Sequence, residues 1–184
     1  MTGTDVSPRR AQIVAAAREI LETEGPDALT MRTVAGRLGM RAPSLYKHVV
    51  DKEELKALLI AEALRGMGEE LRAATADLPP RAPRRRVLRA IASGYRAWAL
   101  AHSHLYRLAT EGELPRDRLP EGLEAWSSEP LVRAAGSQDR ARAAWAFAHG
   151  MTILELDGRF PPGADLDRAW AAGIDALGGS GPRS

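Results

Sequence analysis

The sequence predicts an all-α protein. Almost every segment carries apolar residues at helical period, no segment alternates like a strand, and polar caps with Gly or Pro breaks divide the chain into helix-sized pieces. With 184 residues and 45% apolar content there is material for a real core, as one large domain or a small one joined to a larger one. No run of about 18 apolar residues is present to span a bilayer, and MTGTDVSPRR lacks the apolar stretch of a signal peptide, so a cytoplasmic protein without membrane contact is expected. The absence of cysteine excludes disulfides, Cys-ligated zinc and thiol chemistry. The formal charge of +2 says little about partners, but charge is concentrated locally. Between Arg32 and Lys52 the bases Arg32, Arg37, Arg41, Lys47 and Lys52 face a single acid, Asp51.

Ser7 followed by Pro8 reads as a cap with proline at the first helical position, and Ile13, Ala16, Ala17, Ile20 and Leu21 then recur on one helical face. Gly25-Pro26 ends that helix. Thr30 caps a short second helix carrying Val34 and Leu38, and Gly39 closes it. Pro43 starts a third helix, expected over residues 43–49. Asp51 and Glu54 form a capping-box-like start to a fourth, with Leu55, Leu58 and Leu59. The prolines of ADLPPRAP, residues 76–83, forbid continuous helix there. A helix from about Arg84 follows, with Val87, Ile91, Tyr95 and Trp98 on one face. Short helices and loops are expected from about Glu111 to Pro130. A long helix then spans about Ser137 to Phe160, with Trp145, His149, Thr152, Ile153, Leu156 and Phe160 as a stripe. Leu166, Trp170, Ile174 and Leu177 mark a last helix, and GGSGPRS reads as a tail.

The segment RAPSLYKHVV carries the functional signal. At 3.6 residues per turn Leu45 and Val49 share one face of the third helix, while Pro43, Tyr46 and Lys47 share another. If the aliphatic pair locks inward, the second set faces outward, and two short helices joined by Gly39-Met40-Arg41-Ala42 form a helix-turn-helix suited to a DNA major groove. Arg32, Arg41 and Lys47 can reach a guanine edge or a phosphate, and Tyr46 and His48 can donate to phosphate oxygens. Lys52 stands where the positive end of the fourth helix also favours phosphate. Ala42, Pro43 and Ser44 offer small surfaces to thymine methyls. The plainer alternative makes Tyr46 a lid over the core and the charges a solvated face.

These residues also resemble a family. ILETEGPDALTMRTVAGRLGMRAPSLYKHVVDKEELKALL, within a likeness running from about Arg9 to Leu64, is similar to the DNA-binding domain of TetR-type transcriptional repressors, most specifically in LGMRAPSLYKHVVDKEEL. The resemblance implies phosphate contacts from Tyr46, His48 and Lys52, and base contacts from Arg32, Arg41 to Ser44, and Lys47. Lys47 departs from the bulky aromatic that follows the Tyr in tetracycline repressors. It also implies a helix-turn-helix domain at residues 1–52, a helical ligand-binding and dimerisation domain at 53–177, a flexible tail at 178–184, a double-stranded operator as partner, and release by a small-molecule effector.

RARAAWAFAHGMTILELDGRF further resembles the WHG-type subgroup of that family, which implies homodimerisation through the last two helices, about 137–177. In that arrangement Ala141, Ala144 and Ala148 allow close approach between subunits; alternatively these alanines simply favour helix. Tyr95, Trp98, His102, Trp126, Trp145 and His149 are candidate walls of a largely apolar effector pocket, although each singly also suits an ordinary core. Arg84, Arg85, Arg86 and Arg89 form a second basic run, read as a solvated face, with a second phosphate patch as the alternative.

Two other functions compete. An enzyme would draw on His102, His104, His149 and Glu155, but H-x-H on one helix directs its imidazoles about 200° apart. No nucleophile–base pair or phosphate loop stands out, and neither cofactor nor metal is expected. A helical interaction module without DNA is the second rival, distinguished by a weak dependence of its binding on salt.

Overall fold

The computed structural model describes residues 7–178, and these are all helical or irregular, with no strand among them. The expected tail lies outside the described residues except for Gly178, as does the start of the N-terminal stretch, residues 1–6. The order is α1 (Pro8–Glu24), a 3-10 turn (Pro26–Ala28), α2 (Met31–Arg37), α3 (Ala42–Leu45), α4 (Lys52–Ala76), α5 (Arg84–Ala101), α6 (Ser103–Thr110), a second 3-10 turn (Arg116–Arg118), α7 (Leu123–Ala135), α8 (Gln138–Leu156) and α9 (Leu166–Gly178). No helix among the described residues is long and apolar enough to cross a membrane.

The described residues form two compact units. The first holds α1, α2, α3, α4 up to Leu64, and the segment His102–Leu123 with α6. Its helices begin where polar side chains satisfy the backbone donors that a first turn leaves open: Ser7 Oγ accepts the Arg10 N–H at 3.3 Å, and Thr30 Oγ1 accepts that of Thr33 at 3.0 Å. The predicted stripe of α1, Ile13 to Leu21, is buried throughout. It shares its unit's core with Leu29, Val34, Leu45, Val49, Leu55 and Leu59, and with Leu105 and Tyr106 of α6. The Glu22 carboxylate accepts the Leu105 N–H at 3.0 Å and so closes an open donor of α6. His102 precedes α6 and His104 lies within it, so H-x-H straddles a helix start instead of occupying one helix.

The second unit holds the rest of α4 with α5, α7, α8 and α9. Arg96 of α5 ties it together, gripping Glu155 of α8 through Nε at 2.8 Å and Nη2 at 2.7 Å, and Asp167 of α9 at 2.6 Å. Arg89 bonds to Asp175 through Nε at 2.7 Å, with Arg85 3.8 Å from the same carboxylate. Two members of the second basic run are therefore paired with α9. Gly173 matters for packing here: a Cβ at that position would lie 2.1 Å from the Phe147 ring, whose edge meets Trp170.

Three expectations in this unit are corrected. The region from Glu111 to Pro130, expected as short helices and loops, enters the 13-residue helix α7 at Leu123, which runs past Pro130 and holds it buried inside. Proline cannot donate to the carbonyl four residues earlier, that of Trp126. Arg72 supplies the missing donor: its Nη2 bonds to the Trp126 carbonyl at 2.6 Å, its Nη1 to the Gly68 carbonyl at 2.7 Å, and its guanidinium lies 3.9 Å over the Trp126 ring. Arg72→Leu is expected to lower stability by about 2 to 3 kcal/mol, because two carbonyls lose charged donors and a cation–π contact disappears. Urea unfolding checks this, and Arg72→Lys should recover little, since lysine lacks the fork that reaches both oxygens.

Helix α8 ends at Leu156, not Phe160. Gly158, at φ +60°, lets the Arg159 N–H reach the Leu154 carbonyl (2.9 Å) and its own N–H reach that of Glu155 (3.1 Å), a C-terminal closure that stops the helix. The third correction concerns Ala141, Ala144 and Ala148. Together with Thr152 they form the face of α8 that is buried within the chain itself, and Ala144 and Ala148 adjoin Ile91, Ala92 and Tyr95 of α5. They are unavailable to a second subunit.

Candidate nucleic-acid interface

The turn between α2 and α3 is built by Gly39. At φ +62° its N–H bonds to the Gly36 carbonyl (3.1 Å), and the Met40 N–H reaches back to Ala35 (2.8 Å), so α2 stops and the chain reverses. Regular helix then lasts only over Ala42–Leu45, shorter than the predicted 43–49, with Tyr46–His48 in a turn. The hydrogen bonds explain the outcome: His48 N–H and Val49 N–H both go to the Leu45 carbonyl, at 2.9 and 3.1 Å, a tightened final turn before β-branched Val49 and Val50.

The predicted division of faces holds within this shorter element. Leu45 and Val49 are completely buried, while Pro43, Tyr46 and Lys47 are exposed, Tyr46 by 49%. Arg32, in the first turn of α2, and Arg41, at the cap of α3, are exposed as well. Ala42, Ser44 and His48 are half-buried. Lys52 opens α4 and is exposed. Among the described residues Arg32, Arg41, Lys47 and Lys52 have no acidic partner. Arg37, the remaining base of the segment, is engaged by Glu19 at 2.7 Å and by Glu24, and holds α2 on α1.

The start of α4 is fixed by a network that sequence inspection captures only in part. Asp51 Oδ1 accepts the Glu54 N–H at 2.6 Å, and Glu54 reaches back to the Val50 N–H, also at 2.6 Å, one residue earlier than the usual box. Arg10 pairs with the same Glu54 carboxylate, and Arg118 approaches Asp51 at 3.2 Å. Neither arginine has a local signal in the sequence, because the contacts span 44 and 67 residues. Arg118 matters chemically, since it offsets the one acid of the predicted basic segment.

The Glu54 N–H and then the Arg118 guanidinium hold the Asp51 carboxyl below its ordinary value of 3.8. A depressed carboxyl stabilises the folded chain above the ordinary value, and that contribution fades as pH falls through the lowered one. The stability gap between the natural chain and Asp51→Ala, measured by urea unfolding, should therefore be wide near neutrality and narrow toward about pH 3. An unchanged gap would assign the effect to packing instead.

Of the six residues predicted to wall an effector pocket, Tyr95 and Trp145 line one small void. Tyr95 is buried and Trp145 is 47% exposed; they adjoin a void of about 20 Å³, room for a water and little more. Trp145 stacks on His149 at 5.7 Å between ring centroids. Trp98 lies where a Cβ on Gly66 would approach its indole nitrogen to 3.0 Å, and Trp126 packs likewise against Gly68 and under Arg72. His102 belongs to the first unit. Of the residues weighed for catalysis, Glu155 is occupied by Arg96, and no group of three His, Asp or Glu among the described residues is placed to hold a metal.

Comparisons with known proteins agree with the helix-turn-helix. Residues 13–58 match the family model for bacterial regulatory proteins of the tetR family, and residues 88–177 match that for the tetracyclin repressor-like C-terminal domain. An uncharacterized HTH-type transcriptional regulator of Mycobacterium tuberculosis is 30% identical over 159 residues, 81% of this chain and 71% of the relative. The tetracycline repressor protein class D of Escherichia coli is 42% identical over 55 residues, 30% of this chain and 25% of that protein. A TetR variant of Acinetobacter baumannii AYE solved in complex with minocycline superposes with a TM-score of 0.64 at 27% identity, covering 90% of this chain and 92% of its own. Regulators of this kind are not enzymes. A helix-turn-helix with a free basic and aromatic face, joined to a larger helical domain and matched along both parts, places the chain in the TetR family of DNA-binding transcriptional regulators.

Proposed function

We propose that the protein is a homodimeric repressor that binds a palindromic operator through the helix and turn at 42–49, and that a small molecule in the larger domain releases it. The observation that carries this reading is the exposure of Tyr46 and Lys47 beside fully buried Leu45 and Val49: a rigid basic prong on an apolar anchor. Arg32, Arg41 to Ser44 and Lys47 meet base edges, and Tyr46, His48 and Lys52 hold phosphates. Residues 1–52 act as the reading head and 53–177 as the effector and dimer domain.

The dimer forms through α8 and α9. The outward face of α8 carries Ala143, Ala146, Gly150 and Leu154 at the spacing of a helix–helix seam, with Leu154 42% exposed and open space beside Gly150. This face replaces the alanine stripe that the chain already buries. Two prongs enter successive major grooves only when about 34 to 36 Å apart. An effector that prefers another spacing weakens operator binding through a coupling of about 1 to 3 kcal/mol. Helix α4, which contributes residues to both compact units, transmits that change. The Acinetobacter relative was solved in complex with minocycline, which supports a small organic effector for this chain as well. The small void beside Tyr95 and Trp145 must open to admit one.

Selection of bound duplexes from a random pool tests the proposal. It should enrich an inverted repeat whose half-sites lie about one helical turn, or a multiple of it, apart. Enrichment of a single unrepeated site would remove the symmetric dimer, and no enrichment would remove operator reading altogether.

A further inference from the structure

Asp51, Glu53 and Glu54 crowd around Lys52 at the start of α4, and the fold gives each of these acids a base. Glu53 meets Lys56 at 2.9 Å, one turn along the same helix, and Glu54 meets Arg10 of α1. Asp51 is met from the 3-10 turn at Arg116–Arg118, where Arg118 Nη1 donates to Asp51 Oδ1 at 3.2 Å. Among the described residues Lys52 is the one charge of this group left unpaired.

The three bases differ in what else they do. Lys56 belongs to α4 itself, and Arg10 joins α1 to α4. Arg118, from 67 residues further along the chain, bonds to Asp51 alone among the described residues. Both partners stay open to solvent, their side chains 42% and 47% exposed, and a single exposed pair adds little to the stability of a fold. What the pair changes is the local charge. The Asp51 carboxyl is held below its ordinary value, first by the Glu54 N–H and then by Arg118, so near neutrality it carries a full negative charge one residue before Lys52. Left bare, that charge would repel a phosphate at the N-terminus of α4 and oppose the attraction of Lys52.

From this we infer that Arg118 is a positioning residue for DNA: it touches no phosphate itself, and by cancelling the Asp51 charge it lets Lys52 and the start of α4 hold one. The inference rests on the operator reading and adds to it a residue outside the helix-turn-helix, from the segment His102–Leu123 that folds in the same unit. Two plainer roles make different demands. A direct phosphate contact needs Arg118 whatever residue stands at 51, and a structural tie needs Asp51 as much as Arg118. A neutralising role needs Arg118 only while Asp51 is charged.

Fluorescence anisotropy of the full chain on two labelled duplexes tests this. One carries the repeat enriched by selection; the other has mixed sequence and the same length, in about 50 mM salt, where phosphate attraction drives binding. Arg118→Gln should weaken binding to both by about fivefold or more, because each half of the dimer then presents a bare carboxylate. Arg118→Lys should recover most of the loss. Asp51→Asn keeps an acceptor for the Glu54 N–H without the charge, and should bind at least as tightly as the natural chain. In the Asp51→Asn background, Arg118→Gln should cost less than about twofold. Urea unfolding of Arg118→Gln should give a midpoint close to that of the natural chain. Undiminished affinity in Arg118→Gln, an equal loss in both backgrounds, or a loss in Asp51→Asn that matches the loss in Arg118→Gln would each overturn the proposal. Lys52→Ala separates the two readings: if it weakens binding while Arg118→Gln does not, the operator reading stands and this inference falls. If selection enriches nothing, the mixed-sequence duplex still reads the phosphate attraction, and if the natural chain binds neither duplex, both readings fall.

Discussion

Replacing Tyr46 and Lys52 together by alanine is expected to reduce affinity for the selected duplex by about a hundredfold or more while leaving the unfolding midpoint almost unchanged. Both side chains are exposed and neither contributes to the core, so their removal subtracts contacts with a partner and not with the protein. The effect is doubled in a symmetric dimer, because each change occurs in both half-sites. Lys52→Ala alone should also flatten the slope of log affinity against log salt by about 2 for the dimer, close to one released counterion per lost phosphate contact. Fluorescence anisotropy over a salt series measures both quantities. Full binding with an unaltered slope would show that phosphate lies elsewhere, and a helical interaction module would then be the better description.

Leu45→Ala should act in the opposite way, through the fold. Leu45 is fully buried one residue from exposed Tyr46, and with Val49 it anchors the segment that bears the prong. Truncation is expected to lower stability by about 3 kcal/mol, the removed methyl groups and the cavity left behind both contributing. Duplex binding should fall with it, even though no proposed contact residue is altered. Urea unfolding followed by anisotropy at a temperature where the variant remains folded separates the two effects. A loss under about 1 kcal/mol would mean that Leu45 is not the anchor.

The contrast between these variants also shows what the sequence made legible. Caps depend on a few neighbouring residues, so Ser7 with Pro8, Thr30, Gly39, and Asp51 with Glu54 were readable in place. The inward turn of Leu45 and Val49 followed from period alone. Features decided by distant partners were not. Pro130 looks like a helix breaker until Arg72, 54 residues from Trp126, supplies the carbonyl's donor. Period correctly marked an alanine face on α8, but it does not say which helix fills that face, and α5 of the same chain does so. Likewise the folding of His102–Leu123 with α1 rests on Leu105, Tyr106 and the Glu22 carboxylate, none of which signals its partner locally. The end of α8 at Asp157-Gly158 was a different case. The glycine closure was present in the sequence, and the apolar stripe running on to Phe160 obscured it.

The absence of cysteine permits a direct test of where the prong lies. Lys47→Cys, carrying an iron–EDTA reagent on its single thiol, should cleave the selected duplex in two clusters centred about 34 to 36 Å apart, or a multiple of that spacing, one in each half-site. Cleavage spread evenly along the duplex, or confined to one location, would contradict the placement of this segment in successive major grooves.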